Sequence, residues 1–149
     1  MSIVRVVEAH IAAAVHEFFA QSWVLLLAGR VTTRGRREFR GRLTGRVTLK
    51  DGSALDVSAL PEGDVYALLV ARGAPDACVL VKDGLVEDEI TTLTSALHRV
   101  YLSQEGALIS CIPGRLGLLQ SDGGRTRRLL DAAPPSAAAE AGGWQRASA

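Results

Sequence analysis

The amino-acid sequence predicts an α+β fold, an antiparallel sheet covered by an N-terminal helix and a long central helix, and three patterns predict it. Two stretches, 39–50 and 53–59, alternate apolar and polar residues about an Asp51-Gly52 turn, the period of strands with one face buried. Two others, from Ile3 to Phe19 and from Ile90 to Tyr101, repeat apolar residues at helical spacing. Between and after them lie short apolar runs of strand length, bounded by Gly, Pro and Asp. With 149 residues, nearly half of them apolar, the chain can fill one core but not two. We place a single domain over 1–130 and a disordered tail over 131–149, where alanine, proline, serine and glycine dominate and Trp144 stands alone.

Taken in order, Ser2 can cap a first helix over 2–20, whose inward stripe is Ile3, Val7, Ile11, Ala14 and Phe18, widened by Val4, Val15 and Phe19. Gln21-Ser22 breaks it, and Trp23 to Ala28 is an unbroken apolar run expected to be a strand buried on both faces. A hairpin through Thr33-Arg34-Gly35-Arg36 leads into the alternating pair. A two-residue turn there would set Val47 against Asp56, apolar and acidic side chains on one face. A three-residue loop, Lys50-Asp51-Gly52, instead pairs Val47 with Leu55 and Gly45 with Val57, and puts glycine where a left-handed residue is needed. Leu55, Val57 and Ala59 then face inward, and the sheet is expected to run from 23 to 60.

Pro61-Glu62-Gly63-Asp64 ends that sheet, and Asp64 can cap a short helix with Val65, Leu68 and Leu69 inward and Gly73 as its stop. A strand at 77–82 closes on Asp83-Gly84. The long central helix is expected over 86–105, opened by Glu87-Asp88-Glu89 against its N-terminal dipole and ended by Gly106. Strands over 107–112 and 116–120 follow, separated by Pro113-Gly114, before Asp122-Gly123-Gly124 turns the chain beside a basic cluster of Arg125, Arg127 and Arg128.

The motifs of common chemistries are absent. No glycine-rich run ends in Lys-Ser or Lys-Thr to cradle phosphate, and no dinucleotide fingerprint is present. His10 and His16 are six apart, which does not bring them to one helical face as metal ligands. Cys78 and Cys111 lie in apolar runs without metal-type spacing and read as buried, reduced thiols of a cytosolic protein. We therefore assign no catalytic residue, metal ligand or cofactor and expect a non-enzymatic chain. No apolar run approaches the roughly 20 residues of a membrane span, and no charged-then-apolar leader is read at the start. A cytoplasmic location is expected.

Charge is segregated although the net formal charge is only +1. Residues 30–50 carry eight basic side chains and one acid, while 51–89 carry nine acids and two basic residues. Arg36, Arg37, Arg40, Arg42 and Arg46 are the candidate partner-binding residues. They suit an acidic protein surface, or a nucleic-acid backbone, although no Tyr or Trp interleaves them as a stacking platform. Matching the two charge blocks across a two-fold axis predicts a homodimer weakened by salt, with Phe18, Phe19 and Trp23 as its apolar patch.

A set of local features resembles one family: a helix ending in Phe18-Phe19-Ala20-Gln21-Ser22, the segment Gly45-Arg46-Val47-Thr48-Leu49-Lys50-Asp51-Gly52, the short helix Asp64 to Arg72, and Asp88-Glu89-Ile90 leading into Leu93 to Tyr101. Over residues 8–105 the chain is similar to the PATAN domain, found at the head of certain bacterial response regulators. That resemblance implies a non-enzymatic interaction module in bacterial signalling or motility control and carries over no catalytic residue. The stretch from Gly73 to Val86, with the helix after it, also resembles roadblock-type domains, which implies a dimeric regulator of a small GTPase.

Overall fold

The computed structural model describes residues 3–19, 49–50, 52–82 and 89–132. Helix α1 spans Ile3–Phe18, strand β1 Ala54–Asp56, helix α2 Glu62–Ala71, strand β2 Ala77–Lys82 and strand β3 Glu89–Thr92. Helix α3 spans Leu93–Ser103, strands β4 and β5 Ala107–Ile112 and Leu116–Gln120, and strand β6 Arg127–Asp131, with a single 3-10 turn at Asp122–Gly124. The six strands form one sheet in the order β1-β6-β5-β4-β2-β3 with every pair antiparallel, which is the expected α+β class.

The pleat sorts side chains to two faces, and helices cover both. Val79 and Val81 of β2, Leu108 of β4, Leu119 of β5 and Leu130 of β6 pack with Val7, Ile11, Ala14, Val15, Phe18 and Phe19 of the α1 segment. On the other face Cys78, Leu80, Ile109, Cys111, Leu116, Leu118 and Leu129 pack with Val65 and Leu69 of α2 and Leu93, Leu97 and Val100 of α3. A sheet sealed on both faces explains why its central strands read as continuous apolar runs instead of alternating. Ser110 is the polar exception on the α1 side, where it is 3% exposed. Its hydroxyl lies 2.7 Å from His10 Nδ1 on the covering helix, so the buried oxygen is satisfied.

From Val7 onward the first helix keeps its expected stripe: Val7, Ile11, Ala14 and Phe18 are buried, as are the widening residues Val15 and Phe19, while the side chains of Ile3 and Val4 lie outside the description. Because Phe18 and Phe19 are 1% and 0% exposed, they offer no outer apolar patch for self-association, contrary to the sequence expectation. Trp23 and most of the predicted 23–60 sheet, including residues 45 and 47 of the proposed pairing, lie outside the described residues. Within them, Gly52 has the left-handed conformation foreseen for the loop, at φ +79°. β1 pairs with β6, Leu55 opposite Leu129, and Leu49 bridges to Phe19. Ala59 faces solvent and not the core, because the chain has already turned, with Leu60 N donating to Val57 O at 3.0 Å.

Four boundaries differ from expectation. The central helix begins at Leu93, and Glu89–Thr92 is a strand lying against β2, Ile90 opposite Val79. β-branched Ile90, Thr91 and Thr92 fit a pleated edge better than a first helical turn. Thr92 is the true cap, its hydroxyl accepting from Ser95 N at 3.2 Å. The same helix ends at Ser103 and is capped by Gln104, left-handed at φ 57°, two residues before Gly106. The short helix starts at Glu62 behind Pro61 and has no side-chain cap, so Asp64 sits inside the first turn. Asp131 closes strand β6 and does not begin a tail; β6 also splits the predicted basic cluster, burying Arg127 while Arg125 and Arg128 stay exposed. No helix among the described residues is long and apolar enough to cross a membrane.

Candidate interaction surface

Among the described residues the two cysteines are buried and each histidine lies against a polar neighbour. Burial pushes the Cys78 and Cys111 thiols up to about 12, far from a reactive thiolate. His98 faces Glu62 at 3.5 Å on the surface, and His16 lies 3.3 Å from its neighbour Glu17. Among the described residues no group of His, Cys, Asp and Glu could hold a metal ion. The candidate partner-binding arginines Arg36, Arg37, Arg40, Arg42 and Arg46 lie outside the described residues.

α2 is built and seated firmly. Glu62 and Asp64 suit the positive end of its dipole, and Ala67, Leu68, Leu69 and Ala71 are strong helix formers. Arg72 N closes the last turn on Leu68 O and Leu69 O at 3.2 and 3.1 Å, and Gly73 leaves the helix at φ +101°. At this end the Arg72 guanidinium meets the Asp131 carboxylate at 2.5 Å, the two side chains only 10% and 14% exposed. At the start, Tyr101 Oη of α3 donates to Leu60 O at 2.9 Å. Burial raises the Tyr101 phenol, which keeps it a donor.

Tyr101 belongs to a polar cluster that positions α3 against the sheet. Gln120 of β5, 1% exposed, donates its amide to Val100 O and Glu105 O at 3.0 and 2.8 Å, and accepts from Arg127 Nε at 2.7 Å. The Arg127 guanidinium carbon lies 3.9 Å from the centre of the Tyr101 ring. A cation, an amide and a ring thus compensate one another beneath the end of α3.

Seated in this way, α2 turns Val65 and Leu69 to the core, with Leu68 half-buried. Its opposite side carries Gly63, Tyr66, Ala67 and Val70, a stripe at i, i+3, i+4, i+7, and all four are exposed. Tyr66 is 38% and Val70 45% exposed. The spacing is that of a core-facing stripe, yet it faces water. A helix apolar on all sides belongs between two surfaces, and here the second is missing among the described residues. Sequence reasoning assigned the inward residues of α2 and overlooked this face. The signal was present in Glu62–Ala71, where polar side chains are confined to the first turn. Comparison of the chain with family models, with curated proteins and with solved structures returned no match.

Proposed function

We propose that this chain is a non-enzymatic protein-interaction module of the cytoplasm, acting in bacterial signalling or motility regulation as the PATAN resemblance implies, and that its docking surface is the outer face of α2. The observation that carries the reading is the exposed stripe Gly63, Tyr66, Ala67 and Val70 on a helix whose other side is anchored in the core. Thiols held near 12, and histidines in contact with Ser110 or with a surface glutamate, support the non-enzymatic part.

The size of the face selects the occupant. Ten helical residues span about 15 Å, and a strip of that length and about 10 Å wide offers on the order of 150 Å², well short of the roughly 800 Å² per partner that a stable dimer buries. A short amphipathic segment of another protein, laid along α2 with its own apolar stripe inward, matches that length. Asp64, exposed at the helix start, favours a basic residue at the corresponding end of the segment.

Covering what remains exposed of Tyr66 and Val70 is worth about 1 kcal/mol each, so replacing both with serine weakens partner binding by roughly 10- to 30-fold. The test isolates the natural partner with wild-type protein, then titrates it against Tyr66→Ser/Val70→Ser, whose fold is checked by circular dichroism. Unchanged affinity in a folded double variant refutes the assignment. Loss of binding on reversing Arg40, Arg42 and Arg46 instead moves the interface to the basic segment, and salt-dependent duplex binding lost in the same variant indicates a nucleic-acid binder.

A further inference from the structure

β2 and β4 are antiparallel neighbours in the middle of the sheet, with Val79 opposite Ser110 and Leu80 opposite Ile109. Continued one step past Val79 and Ser110, this register would set Cys78 against Cys111. Both side chains belong to the core under α2 and α3, in contact with the cluster that holds Leu93 and Leu97, so they point to the same face. Their mutual influence agrees with this: part of the upward shift of Cys111 comes from Cys78. Cβ atoms of directly opposed residues stand about 4.5–5.5 Å apart, and a disulfide needs about 3.5–4.5 Å. The pairing of β4 with β5 shifts register between Ser110 and Ile112, so the backbone departs from the regular ladder at Cys111.

We infer that Cys78 and Cys111 form a redox pair that closes a cross-strand disulfide between the two central strands, making the core beneath α3 sensitive to oxidation. Both cysteines are free in the structure, which is the reduced state. The oxidant is a small-molecule disulfide. One protein thiolate attacks a sulfur of that disulfide, forming a mixed disulfide and expelling one small thiolate. The second protein thiolate then attacks the protein sulfur of the mixed disulfide and expels the other. Two electrons pass from the protein to the oxidant, and the two thiol protons end on the two small thiols released. Burial makes the reaction slow in the folded molecule without altering where its equilibrium lies, so the pair responds to sustained oxidation or to transient opening of the domain.

The test removes the kinetic barrier. Unfolded, reduced protein is refolded in mixtures of oxidised and reduced glutathione until no further change occurs, then trapped with acid and measured by intact mass and peptide mapping. The expected product is two hydrogens lighter, has a native circular dichroism spectrum, and yields a peptide containing Cys78 joined to one containing Cys111. Cys78→Ala and Cys111→Ala, which bury no unpartnered hydroxyl, each abolish the mass loss and keep the native circular dichroism spectrum. Two free thiols or glutathione adducts in the most oxidising mixture overturn the inference, as does a disulfide found only in protein without the native spectrum.

Discussion

Replacing Gln120 with leucine tests whether the polar cluster is what fixes α3 to the sheet. Leucine nearly preserves volume, so the change isolates hydrogen bonding from cavity formation. It removes three bonds: the amide's donations to Val100 O and Glu105 O, and the acceptance from Arg127 Nε. Val100 O keeps another donor, Gln104 N at 3.2 Å, so little is lost there. Loss of the acceptor for a buried guanidinium costs about 1.5–3 kcal/mol, and the Glu105 carbonyl adds about 1 kcal/mol. The expected destabilisation is therefore about 2.5–4 kcal/mol, read from urea unfolding by circular dichroism with an unchanged denaturant slope. Arg127→Met alone is expected to cost less, and the double variant Gln120→Leu/Arg127→Met recovers about 1–2 kcal/mol of the summed losses, because no charged donor is then left without its acceptor. A loss below about 1 kcal/mol for Gln120→Leu, or strict additivity in the double variant, refutes the cluster's role.

Further outcomes follow from single side chains. His10 is held below its ordinary value of 6.5 by burial. The folded state therefore prefers the neutral ring, and its stability is fully present above 6.5, declines as pH falls through that value and levels off below the folded pKa; urea midpoints between pH 8 and pH 4 should show this decline in wild type and not in His10→Gln. Gly117→Ala places a Cβ 2.5 Å from the Ile109 carbonyl oxygen and forces backbone movement in β4, at a cost of about 1–3 kcal/mol. Gly63→Ala meets nothing within 4 Å in a helical turn and should raise stability by up to about 1 kcal/mol in the same assay. Phe18→Ala empties a site 1% exposed beneath α1, and thermal and urea unfolding should register a loss of about 3–5 kcal/mol.

Elements with a single strong period were legible in the sequence. The α1 stripe, the strands at 77–82, 107–112 and 116–120, and the inward residues Val65 and Leu69 of α2 are where their patterns put them. The errors came where two local rules competed. Glu87-Asp88-Glu89 is a good helix opening, but Ile90-Thr91-Thr92 is better paired with β2, and cross-strand pairing with Cys78 and Val79 decided it. β6 was hidden because Arg127 and Arg128 look like solvated charge, whereas Gln120 and Tyr101, distant in sequence, make a buried arginine tolerable at the first of these positions. The stripe of α2 was invisible for a different reason. Helical periodicity identifies which apolar residues can share a face, and in a helix apolar on every side it cannot tell the core from a docking surface until the sheet is in place.

The central claim, that the outer face of α2 receives a segment of another protein, is tested most directly by a photo-crosslinking amino acid, benzoylphenylalanine, placed at Tyr66 and, as a control, at exposed Thr94 on α3. Irradiation in cells that naturally produce the protein, followed by mass spectrometry of the adducts, is expected to show one adduct specific to position 66, mapped to an apolar-striped segment of a different protein and lost when Val70→Asp is added. Equal adducts at both positions, an adduct at position 66 formed only with a second copy of this chain, or an adduct indifferent to Val70→Asp would contradict the claim.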